Sequence, residues 1–165
     1  MAKPLAATND FVVKFANVNG SGSASANGLF AKVVLRMGVP VGARNIFPSN
    51  IQGLPTWYEV RVSEAGWLGR RGGIDLMIAM NPQTWDADVK GIEPGGYLLY
   101  DSSKPLPASK FRDDITIIGA PLTDLIAAQF TDPRQRQLFK NIIYVGVLAQ
   151  LLGIDTDAVK QLLTE

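Results

Sequence analysis

The sequence predicts an α/β fold: a single Rossmann-like domain with a mostly parallel sheet, helices on both faces and a helical C-terminal part. Three observations lead there. β-rich and helical segments alternate along the chain, which is the signature of a parallel sheet covered by helices. The first strand-like run, "FVVKFANV", feeds a turn, "NGSGSAS", that opens directly into an amphipathic stretch, as in α/β proteins that hold phosphate groups. The chain has 165 residues, which fits one domain with one sizeable core.

Each element has its own reason. Residues 11–18 are β-rich and mostly apolar, as expected of a strand covered on both faces. Residues 24–37 follow as a helix, with Leu29, Val33 and Met37 on one face and Gly38 at the end. Residues 39–43 are a short second strand. "TWYEVRVS", residues 56–63, sets Trp57, Glu59, Arg61 and Ser63 against Tyr58, Val60 and Val62, a strand with one wetter face, nearer an edge. Residues 74–80 and 96–101 are further strands, joined by a short helix starting near Pro82, and residues 115–119 form the last. Then Leu138, Ile142, Val145, Ala149 and Leu152 recur at helical spacing between Pro133 at N1 and Gly153 at the C-terminal end. Ile143 and Val147 make that helix apolar on another side too, so it needs cover on both, part of it from a partner subunit. A final helix over residues 156–163 takes Asp155 or Thr156 as its cap. Residues 1–9 are expected to be a flexible segment, and 10–165 the domain.

Composition excludes much. Lys plus Arg number 16 against 15 Asp plus Glu, so no basic field points to nucleic acid or a membrane surface. There is no cysteine and no histidine. Disulfides, thiolate-held iron–sulfur clusters, Cys/His zinc sites and a His general base are therefore outside this chain's chemistry. The first residues carry no apolar stretch with a small-residue cleavage site, so the expected location is cytoplasmic. The longest apolar run, residues 142–154, is broken by Gly146 and Gln150 and is too short for a membrane span.

What remains is anion binding. Gly20 and Gly22 accept positive φ and let a ligand approach the backbone, while the helix behind them aims free amides and its positive dipole end at the same point. Ser21, Ser23 and Ser25 add hydroxyls and Asn27 an amide. Ser25 stands where a dinucleotide fingerprint needs its third glycine, no acid ends the second strand, and no Gly-Lys-Ser/Thr follows, so neither an NAD site nor a P-loop fits. The plainer alternative is a tight turn whose serines only cap a helix. A second loop holds Asn50, Gln52 and Gly53 between Pro48 and Pro55, stiff enough to orient a ligand or simply a polar connection. A third, "SEAGWLGRRGG", offers Arg70 and Arg71 beside Trp67, to close over a phosphate, to dock a partner, or to stay solvated.

Taken together, "NGSGSASANGLFAK", "RNIFPSNIQGLPTWYEVRVSEAGW", "GRRGGIDLMIAMNPQTW" and "EPGGYLLYDSSKPLP" resemble the γ domain of the 2-oxoacid:ferredoxin oxidoreductases, and most narrowly the γ region at the start of 2-oxoglutarate-type α subunits. "SNIQGLPTWYE" and "AMNPQTW" carry the resemblance, which runs over residues 11–163. It implies a complex that decarboxylates a 2-oxoacid on thiamine diphosphate, passes electrons through iron–sulfur clusters to ferredoxin and releases an acyl-CoA. The thiamine diphosphate and the clusters would sit on partner chains or domains, and this chain, a separate γ subunit or one domain of a larger one, would be inactive alone. It also implies that this region helps bind coenzyme A. The pyrophosphate would lie on the 20–25 turn and the 3′-phosphate against a loop arginine. The family's Gly-Gly-Gln-Gly core appears here as Gly20-Ser21-Gly22-Ser23, without the glutamine. The alternatives from other classes are a structural assembly module with no ligand of its own and a stand-alone nucleotide-binding regulator.

Overall fold

The computed structural model describes residues 8–164; the expected flexible N-terminal segment lies, apart from Thr8 and Asn9, outside the described residues. The elements run β1 (Asp10–Val18), α1 (Ser23–Arg36), β2 (Val41–Ile46), β3 (Pro55–Ser63), β4 (Ile74–Ala79), α2 (Trp85–Lys90), β5 (Ile92–Asp101), β6 (Thr116–Ala120), α3 (Leu122–Ala127), α4 (Pro133–Leu151) and α5 (Thr156–Thr164). Six strands form one sheet in the order β2-β3-β1-β4-β5-β6. β1, β4, β5 and β6 are parallel neighbours, and β3 is antiparallel to both β1 and β2. The expected α/β architecture with a mostly parallel sheet is thus present, with an antiparallel pair added at one end.

Both faces of the sheet are covered. On one, Val13 and Phe15 of β1, Val60 and Val62 of β3 and Ile78 of β4 meet Phe30 and Val33 of α1 and Tyr144, Val145 and Leu148 of α4. On the other, Ala16, Met77 and Leu98 meet Trp85 and Val89 of α2. β4 is buried at every residue, as a central parallel strand should be.

Several boundaries differ from the sequence reading for local reasons. β3 is second from the edge, and its Glu59, Arg61 and Ser63 are buried at 9%, 8% and 1% exposure, so the expected wetter face is covered. Two of them are paired there: Arg61 with Asp10 at 2.5 Å, and Ser63, whose Oγ accepts from the Trp67 amide at 3.2 Å. The true edge is β2, starting two residues later than expected. The helix expected near Pro82 begins at Trp85, because Asn81 first holds a turn through its Oδ1 to the Gln83 amide at 3.0 Å. α3 has no counterpart in the sequence reading. Pro133 stands at N1 as expected, behind an Asp132 cap that the sequence reading did not include and that accepts from the Arg134 amide at 2.8 Å; of the two caps offered for α5, Asp155 accepts from the Asp157 amide at 2.9 Å. Among the described residues no helix is long and apolar enough to cross a membrane.

Candidate functional site

The turn between β1 and α1 sits at the carboxyl end of the first parallel strand, where open α/β sheets place their ligands. Gly20 and Gly22 have φ of 83° and 75°, values that glycine adopts freely and other residues do not. Gly22 is the N-cap residue of α1, and no side chain caps the helix. Its first amides are therefore left to the turn's own surroundings.

Two clefts flank this turn and share Asn17, Asn19 and Gly20. One, of about 300 Å³, lies between the turn, Gln52 and Gly53 of the second loop, and Gln137, Lys140 and Asn141 of α4. The other, of about 260 Å³, lies between Gly22, Ser23 and Ala24 and the Asn45, Thr56 and Tyr58 side of β2 and β3. The second loop is tied to the turn by Asn19, whose amide donates to Leu54 O at 2.8 Å and whose side chain reaches Ser49 O and Ile51 O at 3.3 and 3.2 Å. Gly53 N in turn donates to Asn19 O at 3.0 Å. A Cβ on Gly20 would come within 2.8 Å of Gln52 Cγ, so a glycine there is what allows the two segments to close up.

Beneath the turn runs a buried polar chain. Asn81 Nδ2 donates to Asn17 O at 3.1 Å, Asn27 Nδ2 to Asn17 Oδ1 at 3.3 Å, and the Tyr144 hydroxyl to Asn27 Oδ1 at 2.6 Å. Burial pushes the Tyr144 hydroxyl well above the ordinary phenol range, so it is a fixed neutral donor. Asn141 Nδ2 reaches Ser21 O at 2.8 Å from α4. These bonds lock the turn, α1 and α4 together and leave its amides little freedom to reorganise.

The candidate residues thus fall into groups. Gly20, Ser21, Gln52 and Gly53 line one cleft and Gly20, Gly22, Ser23 and Asn27 the other. Asn27 is 1% exposed and spends both ends of its amide on Asn17 and Tyr144, and the Ser21 hydroxyl is turned inward with no partner. Ser25 is exposed on α1, and Asn50 is exposed on the loop, outside both clefts. Arg70 and Arg71 are not brought to the turn. Arg71 pairs with Asp75, whose Oδ2 also accepts the Val12 amide at 2.8 Å, at the amino end of β1 and β4, roughly 20 Å of strand from Gly20. Asn17, Asn19, Asn141 and Tyr144 were missed by the sequence reading. Isolated polar residues in apolar runs, such as Asn141 in "KNIIYVG", were the only signal.

The family model for pyruvate ferredoxin/flavodoxin oxidoreductase matches residues 12–165. The chain belongs to that family. Its fold is also that of solved γ-type components. The PORC subunit of pyruvate oxidoreductase from Thermotoga maritima superposes with a TM-score of 0.75 at 23% identity, over 93% of this chain and 83% of that one. The γ subunit of a keto/oxoacid ferredoxin oxidoreductase from Geobacter sulfurreducens gives 0.68 at 18% identity, over 92% and 83%. The 2-oxoglutarate:ferredoxin oxidoreductase of Magnetococcus marinus, solved with 2-oxoglutarate, coenzyme A and succinyl-CoA bound, gives 0.83 at 21% identity. The match covers 96% of this chain but 27% of that longer one. No curated protein matches the chain by sequence. Without cysteine or histidine, the donors of this chain do not fit an iron–sulfur cluster.

Proposed function

We propose that this chain is the γ component of a 2-oxoglutarate-type 2-oxoacid:ferredoxin oxidoreductase and that its glycine turn holds the pyrophosphate of coenzyme A. One observation carries the reading: the uncapped amino end of α1 opens, through two positive-φ glycines, between two clefts at the carboxyl end of β1. Binding there is a matter of backbone amides. The buried Asn17–Asn27–Tyr144 chain keeps them aimed, so a phosphate meets donors that are already in place. The Magnetococcus enzyme, with coenzyme A bound and the highest of the three TM-scores, supports both the ligand and the 2-oxoacid branch. Oxidative decarboxylation itself would be done on thiamine diphosphate and iron–sulfur clusters carried by partner chains, with ferredoxin as acceptor, in the cytoplasm.

Coenzyme A affinity tests the reading, by calorimetry on the full chain or as the Michaelis constant of its complex. Gly22→Val forces a β-branched residue into a positive φ and brings a Cβ to 3.3 Å from Leu138 Cδ1. Binding should be lost while circular dichroism reports a folded chain. Ser21→Ala should leave affinity within about threefold of the parent, since the amides stay and the hydroxyl faces inward. A folded Gly22→Val variant that binds coenzyme A normally would sink the proposal.

A second reading, an assembly module with an empty turn, is favoured by the exposed apolar residues of and beside α4: Leu138 is 47% and Leu151 46% exposed. Under that reading Gly22→Val would change complex formation and leave coenzyme A affinity alone.

A further inference from the structure

Two Asn-Gly pairs occur in the chain, Asn19-Gly20 and Asn27-Gly28. At such a pair the main chain can attack its own side chain. The peptide nitrogen of the glycine adds to Cγ of the asparagine, ammonia leaves, and a cyclic succinimide closes. Glycine favours the step because it has no Cβ to crowd the approach and the widest choice of backbone angles. Water then opens the ring at either carbonyl, giving aspartate or an isoaspartate whose main chain is longer by a methylene. No other reactant is needed, so the folded surroundings decide which pair reacts.

The structure treats the two pairs differently. Asn27 is 1% exposed inside α1, with Nδ2 donating to Asn17 Oδ1 at 3.3 Å and Oδ1 accepting from the Tyr144 hydroxyl at 2.6 Å. The Gly28 N–H lies within the helical hydrogen-bond ladder. Neither group can move without opening α1. Asn19 and Gly20 lie in the turn instead. The Asn19 amide donates to Leu54 O at 2.8 Å and the Ser21 amide to Val18 O at 3.2 Å. Between them the Gly20 N–H, on an exposed residue at φ 83°, has no hydrogen-bond partner among the described residues. The Asn19 side chain is tied through Nδ2 alone, to Ser49 O at 3.3 Å and Ile51 O at 3.2 Å, contacts at the long end of the hydrogen-bond range. Giving them up lets Cγ swing to a nitrogen that is already a neighbour.

We infer that Asn19 is a modification site: in the folded chain it deamidates through a succinimide with Gly20, and the product releases the second loop from the glycine turn. Aspartate or isoaspartate at this position has no side-chain N–H for Ser49 O and Ile51 O, and it sets a carboxylate against those carbonyls. Isoaspartate also lengthens the main chain beside Gly20, where a Cβ would already come within 2.8 Å of Gln52 Cγ. Asn19 lines both clefts, so each gains a negative charge. That charge opposes a phosphate, a consequence that rests on the turn being an anion site; the modification itself does not.

Mass-spectrometric peptide mapping of the full chain tests this, after incubation at neutral and mildly alkaline pH, both folded and in urea. Unfolded, the two pairs should convert at comparable rates. Folded, Asn19 should stay within about tenfold of its unfolded rate, and Asn27 should fall more than about a hundredfold below its own, because it reacts only after α1 opens. Conversion at Asn19 should be faster at the higher pH, since the attacking nitrogen must lose its proton. Asn50, exposed but followed by Ile51, should stay intact over the same period. The converted chain, isolated by ion exchange through its added negative charge, should exchange amide hydrogens faster over residues 49–51, and Asn19→Asp should reproduce that change on a normal main chain. Protection of folded Asn19 as strong as that of Asn27 would overturn the inference, as would conversion that leaves exchange over residues 49–51 unaltered. Coenzyme A affinity of the converted chain is read separately. If it equals that of the parent while Asn19 is modified and the loop released, the modification stands and the anion reading of the turn fails.

Discussion

Tyr144 is the side chain on which the site leans most. It is fully buried, packs beside Phe15 at 5.9 Å, and ends in the 2.6 Å bond to Asn27. Tyr144→Phe keeps the ring and strands Asn27 Oδ1 without that donor, so it should cost about 1–3 kcal/mol in urea or guanidinium unfolding. It should also loosen coenzyme A binding more than its distance from the turn suggests. A loss below about 0.5 kcal/mol would mean that Asn27 finds another partner. Asp101 sets a second expectation. Burial alone would raise its carboxyl, but hydrogen bonds from Lys140, Thr123 and Ser103 and the Lys140 charge outweigh burial and hold it well below the usual carboxylate range. Because its folded value is depressed, its stabilisation is complete above the unfolded value near 4 and is lost as pH falls toward the depressed one. Asp101→Asn should therefore destabilise the protein by about 1–3 kcal/mol at pH 7. The gap to the parent should narrow steadily as unfolding is measured below about pH 4. A gap independent of pH would contradict the pairing with Lys140.

At the scale of elements, α4 does three jobs at once. Val145 and Leu148 fill the core, Asn141 holds the glycine turn, and Lys140 pairs with Asp101 at the end of β5. Its periodicity, proline start and glycine stop were legible because they are local properties of the backbone. Asn141's partner was not, since Ser21 is 120 residues away and no spacing rule links them. The same contrast holds for the turn. Two glycines before a helix announce positive φ, whereas the second loop becomes its neighbour through the β1–β3 pairing and its bonds to Asn19. Asn19→Ala removes the side-chain bonds to Ser49 O and Ile51 O but keeps the backbone ones, so it should raise hydrogen-exchange rates over residues 49–51 while leaving the sheet protected. Unchanged exchange in that loop would show that Pro48 and Pro55 suffice to hold it.

For the whole molecule, the outer side of α4 and its flanks stay unfinished. Phe130 and Phe139 stack at 4.3 Å, with Phe139 37% exposed, and Leu138, Leu151 and Leu152 are open at 47%, 46% and 37%. Exposed apolar side chains gathered on one helix mark association surfaces. The isolated chain should self-associate in sedimentation experiments at high concentration, and Leu138→Lys with Leu151→Lys should make it monomeric. Monomeric behaviour of the parent at every concentration would remove the argument.

By itself the sequence determined the α/β class, the glycine turn before a helix, the capped C-terminal helices and the absence of thiol and imidazole chemistry, because each follows from local pattern or composition. "SNIQGLPTWYE" and "AMNPQTW" pointed to the family for the same reason. Only the tertiary structure decided where those pieces meet. It moved Arg70 and Arg71 to the far end of the sheet and turned the polar side of β3 inward. Strand order and loop closure set these distances, and both come from contacts between residues far apart in the chain.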